Sequence, residues 1–287
     1  MDDRAVRWRR APGEWFLRVG FLTAAAFVAV VPLLWMVANA LKSGGETITR
    51  ASANPFDPLF WPTTPLWTNF VQVWLDDDFG SYFVHSALIA GVTTAGVLLT
   101  SILAAYAFAR LRFPGRETIF SGLLATLMIP EVVTVLPNFL VVSALGWVDT
   151  LAGLTVPFMA GAFSIFLLRQ FIRQIPETLF DAAQIDGAYH LRTTFSLVVP
   201  LTRGPLFTIA FLEVTASWNS LQWPLLVAQT PRWRPLSVGL ARFLSGVGPQ
   251  IELRMAASLI ALVPIVLFFL MAQRQIHETL MKSGLQE

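Results

Sequence analysis

The sequence predicts an all-α polytopic membrane protein with six transmembrane helices, and it leaves a count of five or seven spans open. Of its 287 residues, 55% are hydrophobic and 13% are charged, whereas soluble domains carry about 25% charged residues. The mean hydropathy is +0.62. The apolar residues form six long blocks, each close to the length of a helix that crosses a bilayer. These blocks are Phe21–Ala38, Ala87–Ala109, Ile119–Leu145, Leu151–Leu168, Pro205–Leu226 and Met255–Ala272.

The first block follows a basic segment from Arg4 to Arg18, as the apolar region of a signal peptide would. It is longer than such a region and has no small-residue cleavage site. We therefore expect a retained transmembrane helix over residues 19–40.

Prolines lie inside five of the six blocks, at positions 32, 130, 137, 157, 224 and 264. A membrane helix tolerates proline because neighbouring groups bond the carbonyls that it frees. The pattern predicts either kinked helices around a pathway or prolines that are simply tolerated.

The basic residues predict the orientation, because Lys and Arg near the ends of spans stay on the cytoplasmic side. With the N-terminus inside, fourteen of the twenty basic residues fall on inner segments. The outer loop from Gln229 to Arg254 carries four arginines and opposes this trend. We expect a cytoplasmic N-terminal tail at 1–18, an extracytoplasmic segment at 41–80, a transmembrane core at 81–274 and a cytoplasmic C-terminal tail at 275–287.

The two large outer segments, Lys42 to Gly80 and Gln229 to Gln250, are rich in proline, tryptophan and polar residues. They are suited to an external partner. Alternatively, their tryptophans lie among the lipid headgroups, where indole is favoured.

The inner segment between the fourth and fifth blocks predicts a short helix within residues 176–190. Pro176 suits the first helical position, Glu177 complements the helix dipole, and Gly187 suits a left-handed end. Leu179, Phe180 and Ala183 share one face, and a second short helix from Tyr189 to Phe195 follows. This elbow either enters a groove on another protein or folds back on its own bundle.

The same segment resembles the EAA motif of ABC-importer permeases. That motif reads Glu-Ala-Ala, three residues, Gly, nine residues, then Ile-x-Leu-Pro. Here Asp181 to Ala183 is followed after three residues by Gly187, and after nine more by Leu197 to Pro200, so every spacing is kept. Asp181 is shorter than the usual Glu, which affects the reach of its carboxylate.

Further stretches are similar to the carbohydrate-uptake, maltose-permease-like branch of that family. They are Ala105 to Arg116, Leu127 to Pro130, Ile185 to Ala188, Trp218 with Asn219, Trp223 to Leu225, and Gln273 with Arg274. His85 stands where the branch usually has Asn, and the tail from Glu278 lacks the common glycines.

The resemblance implies the rest of an importer. It implies a second homologous permease, a dimer of cytoplasmic ATPases, an extracytoplasmic solute-binding protein and a cell-membrane location with both termini cytoplasmic. The helix at 176–190 would be the coupling helix, with ATPase-coupling residues Asp181, Ala182, Ala183, Asp186, Gly187 and Ala188.

ATP and Mg²⁺ would be bound by the partner ATPase and not by this chain. The sequence has no Gly-x4-Gly-Lys-Ser/Thr loop, and its only lysines are Lys42 and Lys282. We therefore expect a transport subunit and not an enzyme.

Polar residues inside the spans are the candidates for a solute pathway. Glu131 and Glu213 lie in apolar blocks, where a carboxylate usually faces a cavity or a partner. Asn138 and Asn219 suit bonds to sugar hydroxyls, and Trp218 suits stacking on a sugar ring. Bonds between helices are the commoner use of such groups.

Other classes of function fit the residues less well. A membrane enzyme would need acid and base residues at helical spacing within a span, and none occur. Zero cysteines exclude thiolate metal sites, the three histidines are dispersed, and no basic run favours nucleic acid. A secondary transporter or channel for a small polar solute remains the alternative.

Overall fold

The computed structural model describes residues 12–49, 52, 54–76, 79–245 and 250–284, and the regular elements in that part of the chain are all helical. The predicted all-α class is therefore confirmed for these residues. The α-helices are α1 Pro12–Ala40, α2 Gly44–Thr49, α3 Thr68–Asp76, α4 Phe79–Arg110, α5 Arg116–Ala125, α6 Glu131–Ala144, α7 Leu151–Thr155, α8 Ala162–Gln174, α9 Glu177–Ile185, α10 His190–Thr193, α11 Val199–Leu201, α12 Arg203–Asn219, α13 Gln222–Val227, α14 Leu236–Ser245 and α15 Ile251–Gly284. Short 3-10 turns lie at Thr126–Met128, Val156–Phe158 and Pro231–Trp233, and a π-helical turn lies at Thr194–Val198.

Three described stretches are long and apolar enough to cross a membrane as single helices. They are Arg18–Ala40, Phe79–Arg110 and Ile251–Met271. Three further pairs of helices reach that length together, but each pair is bent, by 105°, 45° and 84°. These pairs are Arg116–Met128 with Glu131–Ala144, Leu151–Phe158 with Ala162–Gln174, and His190–Leu201 with Arg203–Asn219. A polytopic membrane protein is supported, and the count of six stays a prediction.

The third predicted span is not one continuous helix. The chain turns by 105° between the 3-10 turn that ends at Met128 and α6. Ile129 is extended, with φ −84° and ψ 118°, because the ring of a following proline disfavours the helical region for the residue before it. Pro130 therefore ends one helix and immediately precedes the next.

The fifth predicted span, Pro205–Leu226, is shorter than expected. Its helix, α12, ends at Asn219, Ser220 is extended, and a new helix begins at Gln222. Pro224 consequently lies in the first turn of α13, where the missing N–H of proline costs no hydrogen bond.

The described chain divides into two compact units. One comprises the described residues within 1–77 and 246–260, and the other comprises the described residues within 78–245 and 261–287. In the second unit, α4 packs along α8 and α12. Its larger core cluster contains Val97, Ile102, Ala105, Tyr106, Phe120, Ile165, Leu168, Ile172, Val198 and Ile209.

The first unit contains a folded segment directly after α1. The ammonium of the buried Lys42 donates to the Leu59 carbonyl at 2.9 Å. Asn69 Nδ2 donates to the carbonyls of Ala40 and Lys42, at 2.8 and 3.0 Å. Burial lowers the pKa of Lys42 below its ordinary value. These bonds fix α3 against the end of α1.

Both predicted tails are described only in part. Residues 1–11 of the first and 285–287 of the second lie outside the described residues. The rest of the second, 275–284, continues α15 as helix.

Candidate functional site

The predicted helix within residues 176–190 is present as α9. It starts one residue later than predicted, because Pro176 has φ −55° and ψ 139° and precedes the helix instead of occupying its first position. Glu177, the first residue of α9, carries the expected negative charge at the positive end of the helix dipole.

Gly187 ends this helix in the way that the sequence predicts. Its φ is +71°, in the left-handed region. The Gly187 N–H donates to Gln184 O at 3.0 Å, and the Ala188 N–H donates to Ala183 O at 2.9 Å. This pair of bonds is the Schellman arrangement, which satisfies carbonyls at the helix end.

The chain then leaves α9 at a fixed angle. The predicted second helix begins at His190 and continues through the π-helical turn to Leu201, so it is longer than expected. Thr193 Oγ1 donates to Tyr189 O at 3.2 Å and stabilises its start. We call α9, the turn at Gly187 and α10 the elbow.

The elbow presents most of the EAA-like motif at the surface. Asp181, Ala182, Asp186 and Gly187 are exposed, whereas Ala183 and Ala188 are half-buried. The neighbouring apolar side chains of Ile185, Tyr189 and Leu191 are 86%, 86% and 64% exposed. Such a set of exposed apolar groups on a short rigid element suits insertion into a groove of a partner.

Two side chains of α4, Arg110 and Tyr106, contact the elbow and the link that precedes it. Arg110 Nη2 donates to Ile172 O at 2.9 Å and also to Ile175 O, and its guanidinium lies 3.9 Å from the centre of the Phe180 ring. Tyr106 Oη and His190 Nδ1 are 3.1 Å apart, within hydrogen-bond distance. In the sequence, Tyr106 and Arg110 belong to the stretch that resembles the family, but the resemblance predicts no role for either of them.

A second arginine joins three helices beside this contact. Arg169 of α8 is 3% exposed, and its Nη2 donates to both carboxylate oxygens of Glu117, at 2.6 and 2.8 Å. Its Nε donates to Phe108 O at 3.1 Å, and its guanidinium stacks 3.9 Å above Phe120. The last turn of α4 and the first turn of α5 are thereby both bound to the middle of α8.

The five candidate pathway residues lie on α6 and α12. Glu131 is exposed as the first residue of α6, and Asn138 is half-buried further along it. Glu213 is half-buried on α12 and accepts a hydrogen bond from Ser164 Oγ of α8 at 3.2 Å. Ser164 is a neighbour that the sequence does not predict, because its spacing from Glu213 forms no local pattern.

The other two candidates on α12 make contacts within the protein. Trp218 is buried, donates from Nε1 to Ala261 O at 3.1 Å and packs edge-on against Phe83. Asn219 is exposed, and its Nδ2 donates to Thr215 O at 2.8 Å. Among the described residues, no hydrogen bond or ring contact joins the α6 pair to the α12 trio.

Among the described residues, no group of three His, Cys, Asp or Glu side chains could hold a metal ion. The expectation that this chain binds no metal or nucleotide itself remains a prediction.

Comparison with known families identifies the chain. The model of the binding-protein-dependent transport system inner membrane components matches residues 96–280. The chain belongs to this family. It is a permease subunit of an ABC importer, and the members of the family are components of transport systems and not enzymes.

Curated relatives of the permease have similar sequences over most of their length. It is 31% identical over 274 residues to the arabinooligosaccharides transport system permease protein AraQ of Halalkalibacterium halodurans, covering 95% of this chain and 96% of that one. It is 35% identical over 221 residues to the sn-glycerol-3-phosphate transport system permease protein UgpE of Pectobacterium atrosepticum, covering 74% and 79%. It is 30% identical over 275 residues to the lactose transport system permease protein LacG of Rhizobium radiobacter, covering 96% and 97%.

A solved structure has the same fold. A chain of a bacterial ABC transporter involved in the import of the acidic polysaccharide alginate superposes with a TM-score of 0.82. The match covers 92% of the permease and 98% of that chain, at 20% identity.

Proposed function

We propose that this permease forms half of the pathway through which a sugar or a similarly polar solute enters the cell, and that the elbow couples it to a separate ATPase. The single observation that carries the proposal is the elbow itself. It combines the exposed motif residues Asp181 and Ala182 with exposed apolar groups and a Schellman end that fixes its angle.

The solute class rests on the chemistry in the relatives' names. Arabinooligosaccharides, lactose and glycerol 3-phosphate all carry several hydroxyl groups. The half-buried Glu213, with its partner Ser164, suits hydrogen bonds to hydroxyl groups within the pathway. Glu131, Asn138, Trp218 and Asn219 remain candidates.

The working assembly contains this permease, a second homologous permease, two ATPase subunits that bind ATP and Mg²⁺, and an extracytoplasmic solute-binding protein. In this scheme the six spans place both termini in the cytoplasm, and the segment at 41–80 faces outward. ATP and the loaded binding protein each favour one of two states of the spans, because a ligand drives a transition only through its different affinities for the two states.

Purification of the tagged permease from its host membrane tests the proposal. We expect one ATPase and a second permease to come with it at matching abundance, as identified by mass spectrometry. In that complex, a cysteine in place of Ala182 should crosslink to the ATPase. Thr118→Cys, at an exposed position on α5, is the control for reactivity outside the elbow.

Two outcomes would count against an ATP-driven importer. One is a permease purified alone, or with copies of itself only, even after crosslinking. The other is solute uptake that continues without ATP and follows an ion gradient, which would indicate a secondary transporter or channel.

A further inference from the structure

Arg110 occupies the point at which the elbow meets the transmembrane core. It is the last residue of α4. Its Nη2 reaches Ile172 O in the last turn of α8 and Ile175 O in the two-residue link between α8 and α9. Carbonyls at a helix C-terminus lack partners within the helix and favour a cation. Arg110 therefore holds both the end of α8 and the link that leads into the elbow.

The same guanidinium also contacts the elbow directly. It stacks 3.9 Å above Phe180, which is the fourth residue of α9. Phe180 is half-buried, while the motif residues Asp181 and Ala182 beside it point to the surface. One turn of α9 thus carries both the surface proposed to bind the ATPase and the ring that Arg110 covers.

Arg169 of α8 makes a reciprocal contact with α4. Arg110 extends from α4 to the carbonyls of α8, and Arg169 extends from α8 to the Phe108 carbonyl of α4. This exchange of arginines, together with the buried packing of Leu168 and Ile172 on α4, prevents the two helix ends from sliding independently. The contact between Tyr106 and His190 is a second link that holds α4 to the elbow.

We propose that Arg110 is a positioning residue that transmits movement of the elbow to α4, and that its stacking on Phe180 is the contact through which this occurs. The proposal rests on the coupling role of the elbow given above. With 32 residues, α4 is roughly 48 Å long at 1.5 Å per residue. A displacement of the elbow is therefore carried by a single continuous helix to the opposite side of the membrane.

The test measures the movement of α4 and the hydrolysis of ATP separately in the purified complex. Because the chain contains no cysteine, a single cysteine in place of Val84, exposed near the start of α4, reports the state of that helix. The measurement is its rate of reaction with N-ethylmaleimide, with and without a non-hydrolysable ATP analogue. We expect the nucleotide to change this rate in the complex with native Arg110 and Phe180.

Arg110→Gln and Phe180→Leu should each reduce this nucleotide-dependent change at least about fivefold, the lower end of typical coupling between sites. The ATPase should still co-purify and hydrolyse ATP. Phe180→Tyr keeps an aromatic face for the guanidinium and should restore the response. Arg112→Gln, which removes an exposed arginine two residues from Arg110, should leave the response unchanged.

The outcomes separate this inference from the proposed function. A normal response in both Arg110→Gln and Phe180→Leu, or a loss in Phe180→Tyr equal to that in Phe180→Leu, overturns the role of Arg110 while the importer assignment stands. If Arg110→Gln does not assemble, the two Phe180 variants decide. Absence of any response at position 84 in the native complex likewise overturns transmission through α4. Absence of the ATPase from the native complex contradicts the proposed function instead.

Discussion

At the residue scale, Gly187 shows how one backbone angle shapes the elbow. Among the described residues, no atom other than those of Gly187 and its chain neighbours lies within 4 Å of the place where its Cβ would be, so space does not require glycine there. The requirement is the φ of +71°, which costs an L-residue roughly 1–2 kcal/mol. A residue that avoids this region would redirect α10 relative to α9.

Gly187→Val should abolish solute uptake, because a β-branched residue strongly disfavours the left-handed conformation. Gly187→Asn should retain most uptake, since Asn tolerates that region. Gly122→Val, at another position with open space, is the control for the added bulk. Uptake by membrane vesicles and the amount of inserted complex are the measurements. Equal uptake by Gly187→Val and Gly122→Val would refute the role of the turn.

Glu46 makes the stability of the folded segment after α1 depend on pH, and the direction of its pKa shift gives the sign of this dependence. A hydrogen bond from the Thr63 hydroxyl, above all, lowers the pKa of its carboxyl, and the Thr63 N–H donates to the same oxygen at 3.2 Å. A group whose pKa is lower in the folded state stabilises that state above its ordinary pKa. This contribution is lost as the pH falls through the folded-state pKa.

Hydrogen exchange at the Thr63 amide measures this effect. Its protection factor should be constant near neutral pH and should fall about threefold below the ordinary Glu pKa of about 4.3. The expected fall is small because the hydrogen bond is exposed. Glu46→Gln keeps an oxygen acceptor but cannot titrate, so its protection factor should not change over this range. The same fall in Glu46→Gln would assign the pH dependence to another group.

At the element scale, the backbone around Gly153 of α7 is packed too closely to leave room for a side chain at that position. A Cβ on Gly153 would lie 2.2 Å from Trp147 O. The Gly153 N–H donates to Thr150 Oγ1 at 3.2 Å, and its carbonyl accepts from Trp223 Nε1 at 3.0 Å. The turn before α7, α7 itself and α13 therefore meet at this glycine.

Gly153→Ala should destabilise the permease by about 1–3 kcal/mol, the usual cost of overpacking. The apparent melting temperature of the detergent-purified protein should fall by several degrees. Gly91→Ala, on α4 with nothing within 4 Å of the added methyl group, should leave it unchanged. Equal melting temperatures for the two variants would show that the structure around Gly153 accommodates the methyl group without loss of stability.

At the scale of the whole molecule, the bent helix pairs are the main departure from the expected spans. Breaks at Pro130 and Gly161 divide apolar blocks that would otherwise form straight helices. Broken helices expose backbone groups, which a membrane tolerates only where protein or a polar cavity satisfies them. The breaks therefore suit helices that surround a pathway.

The proposed orientation places the elbow and the outer segment on opposite sides of the membrane. A cysteine in place of Ala182 should react with a membrane-impermeant maleimide only when the cytoplasmic side is accessible. A cysteine in place of the exposed Thr64 should react in intact cells with a permeable outer envelope. Labelling of both from the same side would refute the predicted topology.

The sequence by itself determined the helical class, the membrane setting, the family and the position of the elbow. These depend on local signals: apolar block length, the spacing from Asp181 to Pro200, and a glycine at a helix end. Only the tertiary structure decided where the blocks break, that Trp218 is buried against Phe83, that Ser164 bonds Glu213, and that Arg110 covers Phe180. Each of these joins residues distant along the chain, and the packing of the helices brings them together.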